Sequence, residues 1–160
     1  MRIYLHIGPD LAATMRLQQV LEAKRGQLAQ QDILYPRSPG GANHTRLFMA
    51  SSDPDRVDSL RFNRGLAAPE AQSALYRETI SDLTREVVES EAKVLILSAP
   101  QLGTGLRQRD ELERLRDLLG HFSQDITIVA HVDDPARAFA RHYAAQVFEG
   151  RAALPDRQVA

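Results

Sequence analysis

Few side chains in this sequence can move a proton or hold an anion near neutral pH, and their spacing narrows the chemistry. The five histidines, His6, His44, His121, His131 and His142, are isolated from one another, and no H-E-x-x-H pair occurs. The spacing therefore gives no metal site. Cysteine is absent, which excludes disulfides, thiolate catalysis and zinc–cysteine centres. A G-x-x-x-x-G-K-[ST] motif is missing, which argues against an ordinary ATPase or GTPase, and no G-x-S-x-G elbow is present.

What remains is a turn, Gly8-Pro9-Asp10, leading into a segment that carries Thr14 and Arg16. If that segment is a helix, its N-terminus can hold a small anion through free N–H groups and the helix dipole. The plainer reading is a strand-to-helix turn with Thr14 as an ordinary helix residue. His44, in a polar segment, is the candidate acid/base residue. His6 and His131 sit on or near the end of strand-like runs, where a packed, satisfied histidine is the simpler account. Arg61, Arg64 and Arg77 read as solvated surface, or as a patch for an acidic partner.

The elements that must position these residues alternate in type. Arg2–Ile7 alternates apolar and polar residues and reads as a strand. A helix is expected over about 11–30, with Leu17, Val20, Leu21 and Leu28 at helical spacing. Ile33-Leu34-Tyr35 is a short strand stopped by Pro36. The stretch 37–69 is polar and irregular, with one short helix around His44–Ala50; unstructured segments this long are uncommon in compact domains. A long helix follows over Pro69–Glu91, with Ile80, Leu83 and Val87 as its buried stripe. Val94–Leu97 is a continuous apolar run, as in a strand covered on both faces. Leu112, Leu115, Leu118, Leu119 and Phe122 mark another helix, and Ile126–Val132 is the most hydrophobic strand. Asp134-Pro135 is a helix N-cap followed by proline at the first helical position. The last helix carries Phe139, Tyr143 and Val147, and Gly150 ends it.

Strands alternating with helices imply an α/β domain, a three-layer sandwich on a mostly parallel sheet. Ligands of such sheets sit at the carboxyl ends of the strands, here the loops after Ile7, Leu97 and Val132. One domain over 1–150 with a tail over 151–160 accounts for the 160 residues. Apolar residues at 43% and charged residues at 26% are ordinary for a globular domain, and a formal charge of −1 gives no pull toward nucleic acid or anionic membrane. With no signal-like or spanning apolar stretch, a cytoplasmic protein with no membrane or nucleic-acid partner is expected. A protein partner or a homo-oligomer is the partner class left open.

Four segments in order resemble one family. His6-Ile7-Gly8-Pro9-Asp10-Leu11-Ala12-Ala13-Thr14-Met15-Arg16-Leu17-Gln18 is similar to the H-I-G-x-x-K-T-G-T-T-x-L-Q start of bacterial PAPS-dependent sulfotransferases. Ile33-Leu34-Tyr35-Pro36 with Asn43-His44 resembles the family's L-Y-P and N-H elements. Val94–Leu102 resembles its I-L-S-S-E segment, and Ile128–Tyr143 its strand ending in R-D-P or R-N-P before a helix. The resemblance implies a sulfotransferase or P-loop NTPase-like fold and the nucleotide PAPS, or its product PAP, as cofactor, with no metal. By position it implies Gly8, Pro9, Asp10, Thr14 and Arg16 at the 5′-phosphosulfate, Asp133 and Arg141 at the 3′-phosphate, and His44 as acid or base.

The departures fall on the chemistry. Leu11 replaces the phosphate-binding lysine and Ala13 a loop glycine. Pro100 replaces the candidate base, and Asp133 reverses the charge of an arginine. The resemblance therefore implies a degenerate member kept as a binding or structural module, either shortened or a fragment of a longer chain. The alternatives are an active sulfotransferase with atypical ligands acting on a hydroxyl acceptor, and an unrelated α/β protein whose turn imitates the motif.

Overall fold

The computed structural model describes residues 1–9, 11–132 and 134–148. Four strands, β1 (Arg2–Pro9), β2 (Ile33–Leu34), β3 (Val94–Ser98) and β4 (Ile126–His131), form one sheet in the order β2-β3-β1-β4. Every pairing is parallel, so the expected α/β architecture is present.

The alternation in β1 sorts the two faces of the sheet. Ile3 and Leu5 pair with Leu95 and Leu97, and all four are buried in the main core. That face is covered by α3 (Thr45–Ser51), α5 (Pro69–Ser90) and α7 (Arg109–Gly120), which contribute Leu47, Leu83, Leu115 and Leu118. Tyr4 and His6 point to the other face beside Ile96 and Ser98, against α1 (Leu11–Ala23). Helices on both faces of a parallel sheet give the three layers. Val94–Leu97 is covered on both sides as expected, with Leu95 and Leu97 buried and Val94 and Ile96 half-buried.

Several elements differ from expectation. The helix over 11–30 is two, because Lys24 leaves helical geometry between α1 and α2 (Arg25–Ala29). Among the described side chains of α1, Thr14 and Gln18 are the buried ones, while Val20 is exposed. Along α5 the buried stripe is Gln72, Leu75, Thr79 and Leu83; Ile80 and Val87 are only partly covered.

The largest difference is in 37–69. It holds two helices, α3 and α4 (Ser59–Asn63), and α3 is almost wholly buried in the core. Its polarity is spent inward. Gln72 Nε2 donates to the carbonyls of Met49, Ala50 and Ser52 and so closes the C-terminus of α3. The guanidinium of Arg61 is fully buried and donates to the carbonyls of Asp53, Pro54, Arg56 and Leu66. Arg61 is thus a loop staple and not part of a surface patch; Arg64 and Arg77 are exposed. Glu111, also fully buried, accepts from the backbone N–H of Asp53, Arg107 and Gln108 and pairs with Arg56. Charges survive burial only when paired or hydrogen-bonded this fully.

A short helix not expected from the sequence, α6 (Gln101–Gly105), follows β3. It packs directly on β1, where a Cβ at Gly103 would stand 2.4 Å from the Ile7 carbonyl oxygen. The last helix, α8 (Pro135–Phe148), begins after Asp134, whose carboxylate accepts from Arg137 N, as the N-cap reading requires. Gly150 and the tail over 151–160 lie outside the described residues.

Candidate functional site

The connections leaving β1 and β3, neighbours in the sheet, run over opposite faces: one through α1 toward β2, the other through α6 and α7 toward β4. This is a topological switch point, where a crevice opens at the carboxyl ends of the strands. The Gly8 turn and the Ser98–Pro100 turn meet there.

Gly8 has φ of +79°, which an L side chain resists. A Cβ at this position would also lie 3.0 Å from Pro100 Cβ and 3.6 Å from Thr14 Oγ1. Thr14 is 0% exposed and its hydroxyl has no hydrogen-bond partner among the described residues. A buried unpaired hydroxyl is costly, and here it sits one turn into α1, beside the glycine turn. Arg16 points to solvent. Pro9 closes β1, and its side chain, like those of Asp10 and Asp133, lies outside the described residues. Arg141 lies on the exposed face of α8. The two lysines are remote from the turn: Lys24 follows the last residue of α1, and Lys93 pairs with Asp32 just before β3 begins.

His44 is held at both ring nitrogens. Ser98 N donates to Nδ1 at 3.1 Å, and Nε2 lies 3.1 Å from the Pro36 carbonyl oxygen. A backbone N–H on one side and a carbonyl on the other fix the neutral Nε2–H tautomer. The ring is 0% exposed and stacks obliquely on Tyr35, with centroids 4.6 Å apart. Burial pushes its pKa down to about 3. His44 joins β3 to the Tyr35-Pro36 turn; in this geometry neither nitrogen is open to a proton from outside.

A second polar chain was not legible in the sequence. Gln18 Nε2 donates to Ser98 Oγ at 3.0 Å, Ser98 Oγ stands 2.8 Å from His6 Nδ1, and His6 Nε2 stands 3.1 Å from His131 Nδ1. His6 is buried and His131 half-buried, so the chain runs from the interior toward the loop after β4. Burial, and after it the neighbouring His131, lowers the pKa of His6. His6 and Ser98 are register partners on adjacent strands, a relation that no single-strand pattern carries. As expected for packed histidines, both rings have partners, but the partners are each other and a serine.

Two shallow depressions lie away from this crevice. One, of about 270 Å³, is lined by residues including Arg25, Tyr35, Arg37 and Glu86; the other, of about 250 Å³, lies at the C-terminal end of α7 around Arg116, His121 and Gln124. Among the described residues, no three His, Asp or Glu side chains are grouped to hold a metal ion, and no helix is long and apolar enough to cross a membrane. No family model matches the chain, and neither the curated proteins nor the solved structures include a significant match to it.

Proposed function

We propose that this chain is a degenerate sulfotransferase-like domain that no longer transfers sulfuryl groups and is kept as a binding or structural module. The observation that carries this reading is His44. It is the one acid/base residue left by the family resemblance, and its two nitrogens are spent on Ser98 N and Pro36 O inside the core. Pro100, at the position of the family's candidate base, is buried and packs on Gly8.

The residues at the turn fit part of the nucleotide and not the whole. Thr14 Oγ1, buried near the start of α1 and without a partner among the described residues, suits one oxyanion oxygen. A doubly phosphorylated donor needs cations at both ends. Neither lysine stands at the turn, and Arg16 faces solvent.

Thr14 supports a second reading, an active enzyme with atypical ligands. In it Gly8, Thr14 and Arg16 would hold the 5′ end and Arg141 the 3′-phosphate. The two readings separate in a transfer assay with ³⁵S-labelled PAPS and a panel of hydroxyl acceptors. The module reading expects no labelled product above the protein-free control. Labelled product that is lost in Thr14→Val would overturn it.

A further inference from the structure

We propose that His6 and His131 form a one-proton switch at the carboxyl ends of β1 and β4, in which protonation of His131 reverses the hydrogen-bond chain that runs through His6 to Ser98. The switch goes beyond the module reading and does not depend on it. Its geometry begins with a break in strand register. β1 and β4 run in step from Ile3 opposite Ile126 to His6 opposite Val129. Three steps along β1, from His6 to Pro9, then match two along β4, from Val129 to His131. The extra residue falls in the stretch that holds Gly8 at φ of +79°. A bulge of this kind bends its strand and re-aims side chains. Across it the His131 ring stands edge-on to His6, with centroids 4.9 Å apart, planes at 63° and Nδ1 3.1 Å from His6 Nε2.

At that distance one ring donates and the other accepts. The neutral chain runs outward. Gln18 Nε2 donates to Ser98 Oγ, the Ser98 hydroxyl to His6 Nδ1, and His6 Nε2–H to His131 Nδ1, so each donor meets an acceptor. A proton gained by the pair belongs on half-buried His131 and not on buried His6. His131 Nδ1 then carries a hydrogen and donates to His6 Nε2. His6 changes to the Nδ1–H tautomer and donates to Ser98 Oγ, whose hydrogen turns to the adjacent Tyr35 phenol oxygen. The count balances: the pair gains one proton and His6 stays neutral. A second proton would set two cationic N–H groups head to head at 3.1 Å, so the pair takes up one. The charged bond is stronger than the neutral one, so that proton fastens the end of β4 to β1.

The surroundings leave the pair to set its own charge. On this face of the sheet α1 turns Thr14 and Gln18 inward, β3 contributes Ser98 and β1 the phenol Tyr4. Among the described residues, His131 is the titratable group that acts on His6. Beyond His131, the Asp134 carboxylate accepts from Arg137 N at the start of α8, and the side chains of Arg137 and Arg141 lie on the exposed side of that helix. Asp10 and Asp133 lie outside the described residues.

Two-bond proton–nitrogen spectra of the full chain labelled with ¹⁵N-histidine read the tautomer and charge of each of its five histidine rings. Over the imidazole range, from about pH 8 to about pH 5, His131 should become imidazolium. His6 should change from the Nε2–H to the Nδ1–H tautomer with the same midpoint and stay neutral. His44, held by Ser98 N and Pro36 O, should stay Nε2–H throughout and so reports that the fold is intact. In His131→Gln the His6 tautomer change should disappear while the His44 signals keep their positions. A His6 tautomer that does not change in the wild type overturns the proposal. So do two imidazolium rings within that range, or a His6 change that persists in His131→Gln. None of these readouts involves PAP or sulfuryl transfer, so the two readings fail separately.

Discussion

Replacing Glu111 by glutamine should destabilise the domain far more than a neutral swap on a helix normally does. The carboxylate is 0% exposed and accepts four hydrogen bonds, from Asp53 N at 2.9 Å, Arg107 N at 2.7 Å, Gln108 N at 3.0 Å and the Arg56 guanidinium. Burial by itself would raise its pKa, but these donors outweigh burial and hold it below the ordinary glutamate value. A carboxamide offers one accepting oxygen and turns an NH₂ group toward backbone N–H donors. At least two bonds are lost and Arg56 is left without its counter-charge, for a cost of about 3 kcal/mol. For a chain of this size that is a fall in melting temperature of about 6–12 °C. The control is Glu113→Gln on the same helix. Glu113 pairs with exposed Arg109 at 2.9 Å on the surface, so its loss should cost less than about 0.5 kcal/mol. Urea melts of both variants, followed by circular dichroism, measure the difference. Equal midpoints for the two would refute the claim that Glu111 pins the 52–58 loop to α7.

Two further perturbations test the site's framework. Gly103→Ala would place a methyl 2.4 Å from the Ile7 carbonyl oxygen, so α6 must move off β1 at a cost of about 1–3 kcal/mol; a variant as stable as the wild type in thermal melts would show that α6 does not lie against the strand. His44 and His6 are both held neutral by burial, with folded pKa values below the ordinary 6.5. Their contribution to stability is complete above pH 6.5 and is lost as pH falls below it, since only the unfolded chain binds those protons readily. Unfolding free energy should therefore drop between pH 6.5 and about 5, above the carboxylate range, and His44→Gln should reduce that slope; an unchanged slope would refute the buried assignment.

The strands and long helices were legible because their signals are local. Alternation in Arg2–Ile7, the apolar run Val94–Leu97 and the Asp134-Pro135 start each depend on a few neighbouring residues. What escaped depends on residues far apart in the chain. The stretch 37–69 read as polar and irregular because residues such as Arg61 are polar types; only tertiary structure shows that Arg61 within it, and Gln72 and Glu111 packed against it, bond to buried carbonyls and N–H groups. Nothing local in the sequence marks α6, and it is the lack of a side chain at Gly103 that allows α6 to touch β1. Gln108 and Glu111 form a capping box whose first residue is an uncommon N-cap, which hid the start of α7.

The candidate site was legible in place but not in detail. The loops after β1 and β3 do meet at the switch point, and Thr14 does lie beside Gly8. The role given to His44 came from a resemblance in sequence, while its lock between Ser98 and Pro36 comes from strand packing. The chain from Gln18 through Ser98 and His6 to His131 needs the β1–β3 register before it can be seen at all.

Titration of PAP into the purified protein by calorimetry, with adenosine as control, tests the central claim most directly. The account predicts no saturable heat at millimolar PAP, because the turn offers one hydroxyl and no lysine to a polyanion. Saturable, phosphate-dependent heat that disappears in Thr14→Val would contradict it and would mean that the nucleotide site survives.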